Sequence, residues 1–166
     1  MITVSDDGMV NIPNELILFH ARFHKAEPLP FGWHVFVLNS FETLQELRAA
    51  HGDPDQTDAY AWTQIYDQPD AELSIGTIYF AAGWVYVGMV AHEAMHLASW
   101  MCRFPEDAWP ERGRLRARPR RMTLGREPEA LAEYTGTLTS VMWYNLEADG
   151  MTTVDVLPRA SVEADR

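Results

Sequence analysis

Residues 85–101 are the stretch that most constrains what this chain can fold into. They read VYVGMVAHEAMHLASWM, with Gly88 as the one strong helix breaker. Apolar residues occur around most of the circumference of a helix drawn through them, which predicts a helix that is largely buried. Such a helix needs partners for His92, Glu93 and His96, because an unpaired polar group inside a protein costs free energy.

The spacing of these polar residues suits a metal ion. His92 and His96 are four apart, so on a helix their imidazoles lie on one face and can reach the same ion. Glu93 is turned by about 100° from His92, which keeps its carboxylate out of the ligand set but near a water molecule that the ion activates. This H-E-x-x-H pattern is typical of zinc metalloproteases. The alternative is a helix with two partly exposed histidines, a surface glutamate and no metal.

A catalytic zinc ion usually has three protein ligands, so a third ligand has to come from elsewhere in the chain. No histidine follows His96 at short spacing. Residues 127–136 read EPEALAEYTG and predict the start of a second helix, because Pro128 suits a first helical turn and acidic residues there suit the helix dipole. Glu129 and Glu133 are four apart and share a face of this helix, so either could complete the site.

The sequence HEAMHLA, followed some thirty residues later by EALAEYTG, resembles the small gluzincin-type zinc metallopeptidases often encoded by phages and prophages. The resemblance covers roughly residues 75–144. It implies a minimal zincin-like fold with His92, His96 and Glu129 as zinc ligands, where Glu129 is matched through its distance to Gly136. It also implies that Glu93 is the general base. Such sequences often carry an aromatic or apolar residue at the position of Glu133, which is therefore an alternative ligand or a group that orients a histidine.

These residues lead to two hypotheses about function. The first is a zinc metallopeptidase, in which Glu93 takes a proton from the activated water and returns it to the leaving amine of a peptide or protein substrate. Tyr134 or Tyr144 could assist the oxyanion, or either could simply pack in the core. The second is a catalytically silent zinc-binding regulatory or interaction module. Manganese, iron or cobalt would also fit this type of ligand set.

Composition narrows the class of protein. A chain of 166 residues with 47% apolar residues predicts a single domain, residues 1–166. The single cysteine, Cys102, excludes an internal disulfide, the N-terminus does not resemble a signal peptide, and no apolar run is long enough for a membrane span. We therefore predict a cytoplasmic protein without a membrane partner, in the host cytoplasm if it is phage-encoded. The net charge of −11 argues against general binding of nucleic acid.

One segment departs from this acidic character. Residues 101–126 contain eight arginines and three acidic residues, and the prolines and glycines within 104–126 predict a loop between the two helices that carry the site. This loop could act as a lid that recruits an acidic substrate or partner, or it could touch nucleic acid. The alternative is a solvated loop that offsets the acidic body.

The remaining pattern predicts an α+β fold, with a small N-terminal mixed sheet and helices before the H-E-x-x-H helix. Strand 76–80 could be an edge strand that holds an extended peptide, or an ordinary core strand. Helix 13–25 would carry His20 and His24 on its surface, and Ser40 would cap the next helix. The predicted elements are a hairpin or frayed end at 2–10, helix 13–25, strand 32–39, helix 41–50, strands 60–66 and 73–81, helix 129–146 and a frayed tail at 158–166.

Overall fold

The computed structural model describes residues 2–4, 10–24, 29, 31–53, 59–66, 74–102 and 127–153. The predicted loop 104–126 and tail 158–166 lie outside these residues. The described part is α+β, with six strands and three helices. In chain order these are β1 (Thr3–Val4), β2 (Val10–Asn11), β3 (Ile17–Phe23), β4 (Gly32–Leu38), α1 (Phe41–Ala50), β5 (Ala61–Ile65), β6 (Ser74–Ala81), α2 (Val87–Met101) and α3 (Glu127–Ala148).

Four of the strands form one mixed sheet, in the order β3-β4-β6-β5. Strand β4 pairs with β3 in the antiparallel direction and with β6 in the parallel direction, and β5 pairs with β6 in the antiparallel direction. Strands β1 and β2 form a separate antiparallel pair, which confirms the hairpin predicted near the N-terminus. The predicted mixed sheet is also confirmed.

The prediction of a helix over residues 13–25 is wrong. A short 3₁₀ turn, Asn14–Leu16, leads directly into strand β3. Phe19 and Phe23 point to one side of this strand and pack against the main core, while His20 lies on the other side. The apolar residues fit the two-residue period of a strand as well as a helical one, and pairing with β4 decides between the two.

The two faces of the sheet bury two separate clusters of apolar side chains. Trp33, Val35 and Val37 of β4 face the main core, which they share with α2 and α3. Leu38 at the end of the same strand joins Leu44 and other residues of α1 in a smaller cluster. Helix α1 therefore covers one face of the sheet, and the two long helices cover the other.

Helix α1 begins where the sequence predicts. The hydroxyl oxygen of Ser40 accepts a hydrogen bond from the backbone N–H of Thr43 at 3.1 Å, so the predicted N-cap is confirmed. The hydroxyl of Thr43 in turn donates to the side-chain oxygen of Asn39 at 2.7 Å. These bonds satisfy a polar group at the first turn and fix the direction in which the chain leaves β4.

Helices α2 and α3 pack against each other and confirm both long helices predicted from the sequence. Leu138, Met142 and Leu146 of α3 are fully buried in the main core. Just beyond α3, the backbone N–H of Thr153 donates to the carbonyl of Val85 at 2.7 Å, next to the start of α2. This bond ties the end of α3 to the start of α2, so the two helices run in opposite directions. None of the helices in the described residues is long and apolar enough to cross a membrane.

Candidate functional site

The packing of α2 separates its polar residues from its apolar face. Val90, Ala94 and Leu97 are buried against the sheet and α3, whereas His92 and His96 are exposed. Glu93 lies between these two environments and is only 6% exposed. The helix thus presents both imidazoles to solvent and turns the carboxylate toward strand β5, as a helical period of 3.6 residues requires.

The two imidazoles have the geometry of a chelating pair. The Nε2 atoms of His92 and His96 are 3.2 Å apart, and two nitrogens bound to a tetrahedral zinc ion at ~2.0–2.1 Å lie about 3.3 Å apart. The ring centroids are 4.9 Å apart and the ring planes are inclined at 78°. The nitrogens therefore approach a common point from two directions, which leaves room for an ion between them.

The carboxylate of Glu93 is held close to this pair. One ligand atom from each of His92, Glu93 and His96 lies within 4.8 Å of the other two, and these residues could together hold a metal ion. The hydroxyl of Thr63 in β5 donates to Oε2 of Glu93 at 2.5 Å. A buried carboxylate needs such a donor, so β5 orients Glu93 while α2 positions the histidines.

Thr63 was missed by the sequence reasoning, although a signal for it exists. In the strand sequence AWTQI, alternation places Ala61, Thr63 and Ile65 on one face. Ala61 and Ile65 belong to the main core under α2, so Thr63 faces the same helix. A threonine among these core-facing positions indicates that a polar group lies opposite, because its hydroxyl would otherwise lack a partner.

The other predicted site residues lie on α3. Glu129 and Glu133 are both exposed on the first turns of the helix, and neither belongs to the group of ligand atoms found among the described residues. Tyr134 is half-buried against the main core, and Tyr144 is 72% exposed. It stays a prediction that Glu129 or Glu133 is the third ligand, and that Tyr134 is an oxyanion partner.

The strand beside the site is β5 and not β6. Strand β6 pairs with β4 on one side and with β5 on the other, so the prediction that 76–80 is an ordinary core strand is confirmed. Among the described strands β5 is the last of the sheet, and it also contacts α2. If an extended peptide is added to this sheet, β5 is therefore the strand next to Glu93 that would receive it.

A cavity of about 620 Å³ opens beside His92 and Glu93. It lies between residues 59–61, at the start of β5, and the first turns of α2. The described residues that line it are Ala59, Tyr60, Ala61, Tyr86, Gly88, Met89, His92 and Glu93. Among these described residues, only His92 and Glu93 carry an imidazole or a carboxylate, and both belong to the candidate metal centre.

A second histidine pair has a different geometry. His20 is on strand β3, so His24 is not its partner on a helical face, and His34 of β4 approaches it instead. Nε2 of His20 and Nδ1 of His34 are 3.3 Å apart, the ring planes differ by 13° and the centroids are 5.6 Å apart. The distance between the two ring centroids is longer than the distance between the two nitrogens by about two ring radii. Both nitrogens therefore lie on the line that joins the ring centres, and the rings meet end to end. This is the geometry of an N–H···N hydrogen bond and leaves no space for an ion between them.

No protein-family model, no curated protein and no solved structure matches this chain.

Proposed function

We propose that this protein is a zinc-dependent metallopeptidase of the gluzincin type with a zincin-like fold. The observation that carries the proposal is the convergence of the His92 and His96 nitrogens beside a buried, hydrogen-bonded Glu93. A surface helix with two unrelated histidines has no need for a buried carboxylate next to them, because burying that carboxylate costs free energy. Glu129 is the proposed third ligand, with Glu133 as the alternative.

In this proposal each residue has a defined task. His92, His96 and Glu129 would hold the ion, which when bound would supply a Lewis acid and lower the pKa of water toward neutral. Glu93, as general base, would accept a proton from the attacking water and pass it to the amine that leaves as the peptide bond breaks. Thr63 keeps the carboxylate of Glu93 in one orientation, so that the same oxygen can accept and return the proton.

Two further features support a peptide as the substrate. Strand β5 lies at the edge of the described sheet, and Thr63 of that strand touches Glu93. A peptide paired with β5 would therefore pass close to the general base. The cavity beside His92 and Glu93 could take a side chain of the same peptide.

With a single cysteine in the chain, we place this activity in a reducing compartment, the cytoplasm.

The first test is the metal content of the purified protein by mass spectrometry. We expect about one zinc ion per chain, with loss of zinc in His92→Ala and Glu129→Ala. His20→Ala is the matched control, because it removes a histidine whose ring makes an end-to-end hydrogen bond. Loss of zinc in Glu133→Ala but not in Glu129→Ala would move the third ligand by one turn of α3. Absence of zinc from the wild-type protein, even after zinc is added back, would contradict the proposal.

The second test is cleavage of a peptide library by the zinc-loaded protein. We expect cleavage that Glu93→Gln abolishes without loss of bound zinc, because Gln cannot accept the proton but is close to Glu in shape. Bound zinc without any cleavage would favour the second candidate, a catalytically silent zinc-binding module.

A further inference from the structure

The cavity beside Glu93 has walls of two kinds. Tyr60, Tyr86 and Met89 supply large apolar surfaces, whereas Ala59, Ala61 and Gly88 supply little or no side chain. With large side chains and small residues lining the same cavity, there is space in which a bulky group can pack against aromatic rings. No Lys, Arg or Asp is present among the lining residues that the structure describes.

The aromatic side of this cavity is already ordered by contacts outside it. The ring of Tyr60 stacks on Trp84, with centroids 3.7 Å apart and planes inclined at 14°. The same Tyr60 ring also packs against Phe41 at 4.8 Å. A ring held on two sides loses little conformational freedom when a ligand binds, so binding against Tyr60 costs less entropy. Trp84 itself remains 43% exposed.

Gly88 lies in the wall of the cavity and has no side chain to fill it. It lies in the first turn of α2, and a Cβ atom built there would meet only the Tyr86 ring, at 3.4 and 3.6 Å. Alanine at this position would therefore touch Tyr86 in ordinary van der Waals contact, and a larger side chain would extend into the space beside it. The backbone of α2 does not require glycine here, since no positive φ angle occurs at Gly88.

We propose that this cavity binds a large uncharged aromatic side chain of the peptide substrate, adjacent to the bond that is cut, and that Gly88 sets the size limit. The proposal rests on the peptidase function proposed above, because it takes the cavity as part of the same site. An aromatic group fits the walls better than an aliphatic one because its ring can pack against the rings of Tyr60 and Tyr86. An anionic side chain would lose its hydration without gaining a cationic side chain as partner, and a cationic one would meet only Glu93, which the proposed mechanism uses as the general base.

A binding experiment tests the cavity without requiring turnover. The zinc-loaded full chain is titrated with N-acetyl-phenylalaninamide, N-acetyl-alaninamide and N-acetyl-lysinamide, and binding is followed by NMR. We expect the phenylalanine probe to bind at least tenfold more tightly than the other two. In Gly88→Val this preference should be lost, whereas the matched control Gly136→Val on α3 should keep it. Gly88→Leu, which is large but not branched at Cβ and suits a helix, gives the same comparison if the valine variant does not fold.

The library experiment separates this inference from the proposed function. Cleavage next to Phe, Tyr or Trp, shifting to small residues in Gly88→Val, supports both. Cleavage without an aromatic preference, or equal binding of the alanine and phenylalanine probes, overturns the inference and leaves the peptidase function standing. Binding of the phenylalanine probe that Gly88→Val removes, in a protein that cleaves no peptide, overturns the peptidase function and keeps the cavity as an aromatic binding site.

Discussion

At the scale of single residues, the contact between Thr63 and Glu93 joins the sheet to the candidate site. Glu93 is one of the few buried charged residues among those described, and the hydroxyl of Thr63 donates a hydrogen bond to it. A hydrogen bond to an ionised group contributes about 1.5–3 kcal/mol, and leaving such a group unpaired costs at least as much. The pair therefore matters for stability as well as for orienting the carboxylate.

We expect a double-mutant cycle on Thr63 and Glu93 to show a coupling free energy of about 1–3 kcal/mol. Thr63→Val removes the donor at nearly constant shape, and Glu93→Gln removes the charge of the acceptor. Urea unfolding of the zinc-free protein gives the four free energies of unfolding. Thr63→Ser, which keeps the hydroxyl, is the control and should unfold close to the wild type. Strictly additive single effects would contradict the contact.

At the scale of elements, the sheet and α2 approach closely where side chains are absent. A Cβ atom at Gly76 of β6 would lie 2.5 Å from the backbone oxygen of Gln64 and 3.2 Å from Leu97 of α2. The glycine thus lets β5, β6 and α2 meet at the short distance that brings Thr63 to Glu93. In α3, by contrast, a Cβ atom at Gly136 would meet nothing within 4 Å.

Alanine substitutions at these two glycines should have opposite effects. Gly76→Ala should destabilise the fold by about 1–3 kcal/mol or more, because a backbone atom would have to move. Gly136→Ala should stabilise it by about 0.5–1 kcal/mol, since alanine favours a helix and finds open space. The difference is measured by urea unfolding of the two variants side by side. A stabilising Gly76→Ala would show that β5 and β6 tolerate a wider spacing.

The cap of α1 gives a second test at this scale. Ser40→Ala should lower the free energy of unfolding by about 1 kcal/mol, because the backbone N–H of Thr43 loses its side-chain acceptor. Ser40→Asp keeps an acceptor in the same place and should restore most of the loss. Chemical denaturation of both variants makes the comparison. If both variants lose the same stability, the cap does not act through this hydrogen bond.

At the scale of the whole molecule, stability should depend on pH through histidines outside the candidate site. Burial lowers the pKa of His51, and burial with the nearby charge of Arg22 lowers the pKa of His20, both from an ordinary value of 6.5. A lowered pKa means that the unfolded chain binds these protons more readily than the folded one. The stability is therefore fully present above about pH 6.5 and is lost as the pH falls through the folded-state pKa values.

We expect the urea midpoint of the zinc-free protein to fall between pH 7.5 and pH 5.5, and to fall less in the double variant His20→Gln, His51→Gln. Removing zinc from all samples keeps the metal binding that we propose for His92 and His96 from adding its own pH dependence. Each single variant should account for part of the reduced change of the urea midpoint with pH. If the midpoint changes with pH equally in the wild type and in the double variant, neither histidine couples folding to proton binding in this pH range.

The sequence predicts those parts of the fold that depend on local pattern, and less of what depends on pairing. Residues that are neighbours in the sequence are enough to predict the helical period of α2 and α3, the cap at Ser40 and the strands around the core. Strand β3 was predicted wrongly because ILFHARF suits a helix locally, and only its pairing with β4 makes it a strand.

For the site, helical spacing alone predicts that His92, Glu93 and His96 lie close together. Thr63 lies thirty positions from Glu93, and its contact depends on the register of β5 and on the tilt of α2, which no local pattern contains.

The parallel pairing of β4 with β6 also bears on the order in which the chain folds. Val35 pairs with Ile78, and closing such a long loop delays the contact until much of the chain has been ordered. Strands β5 and β6 and helix α2 follow one another within residues 61–101, so their mutual contacts involve shorter loops. We therefore expect the nascent chain to bring Thr63 near Glu93 early, and the joining of β4 to β6 to set the rate at which the native state appears.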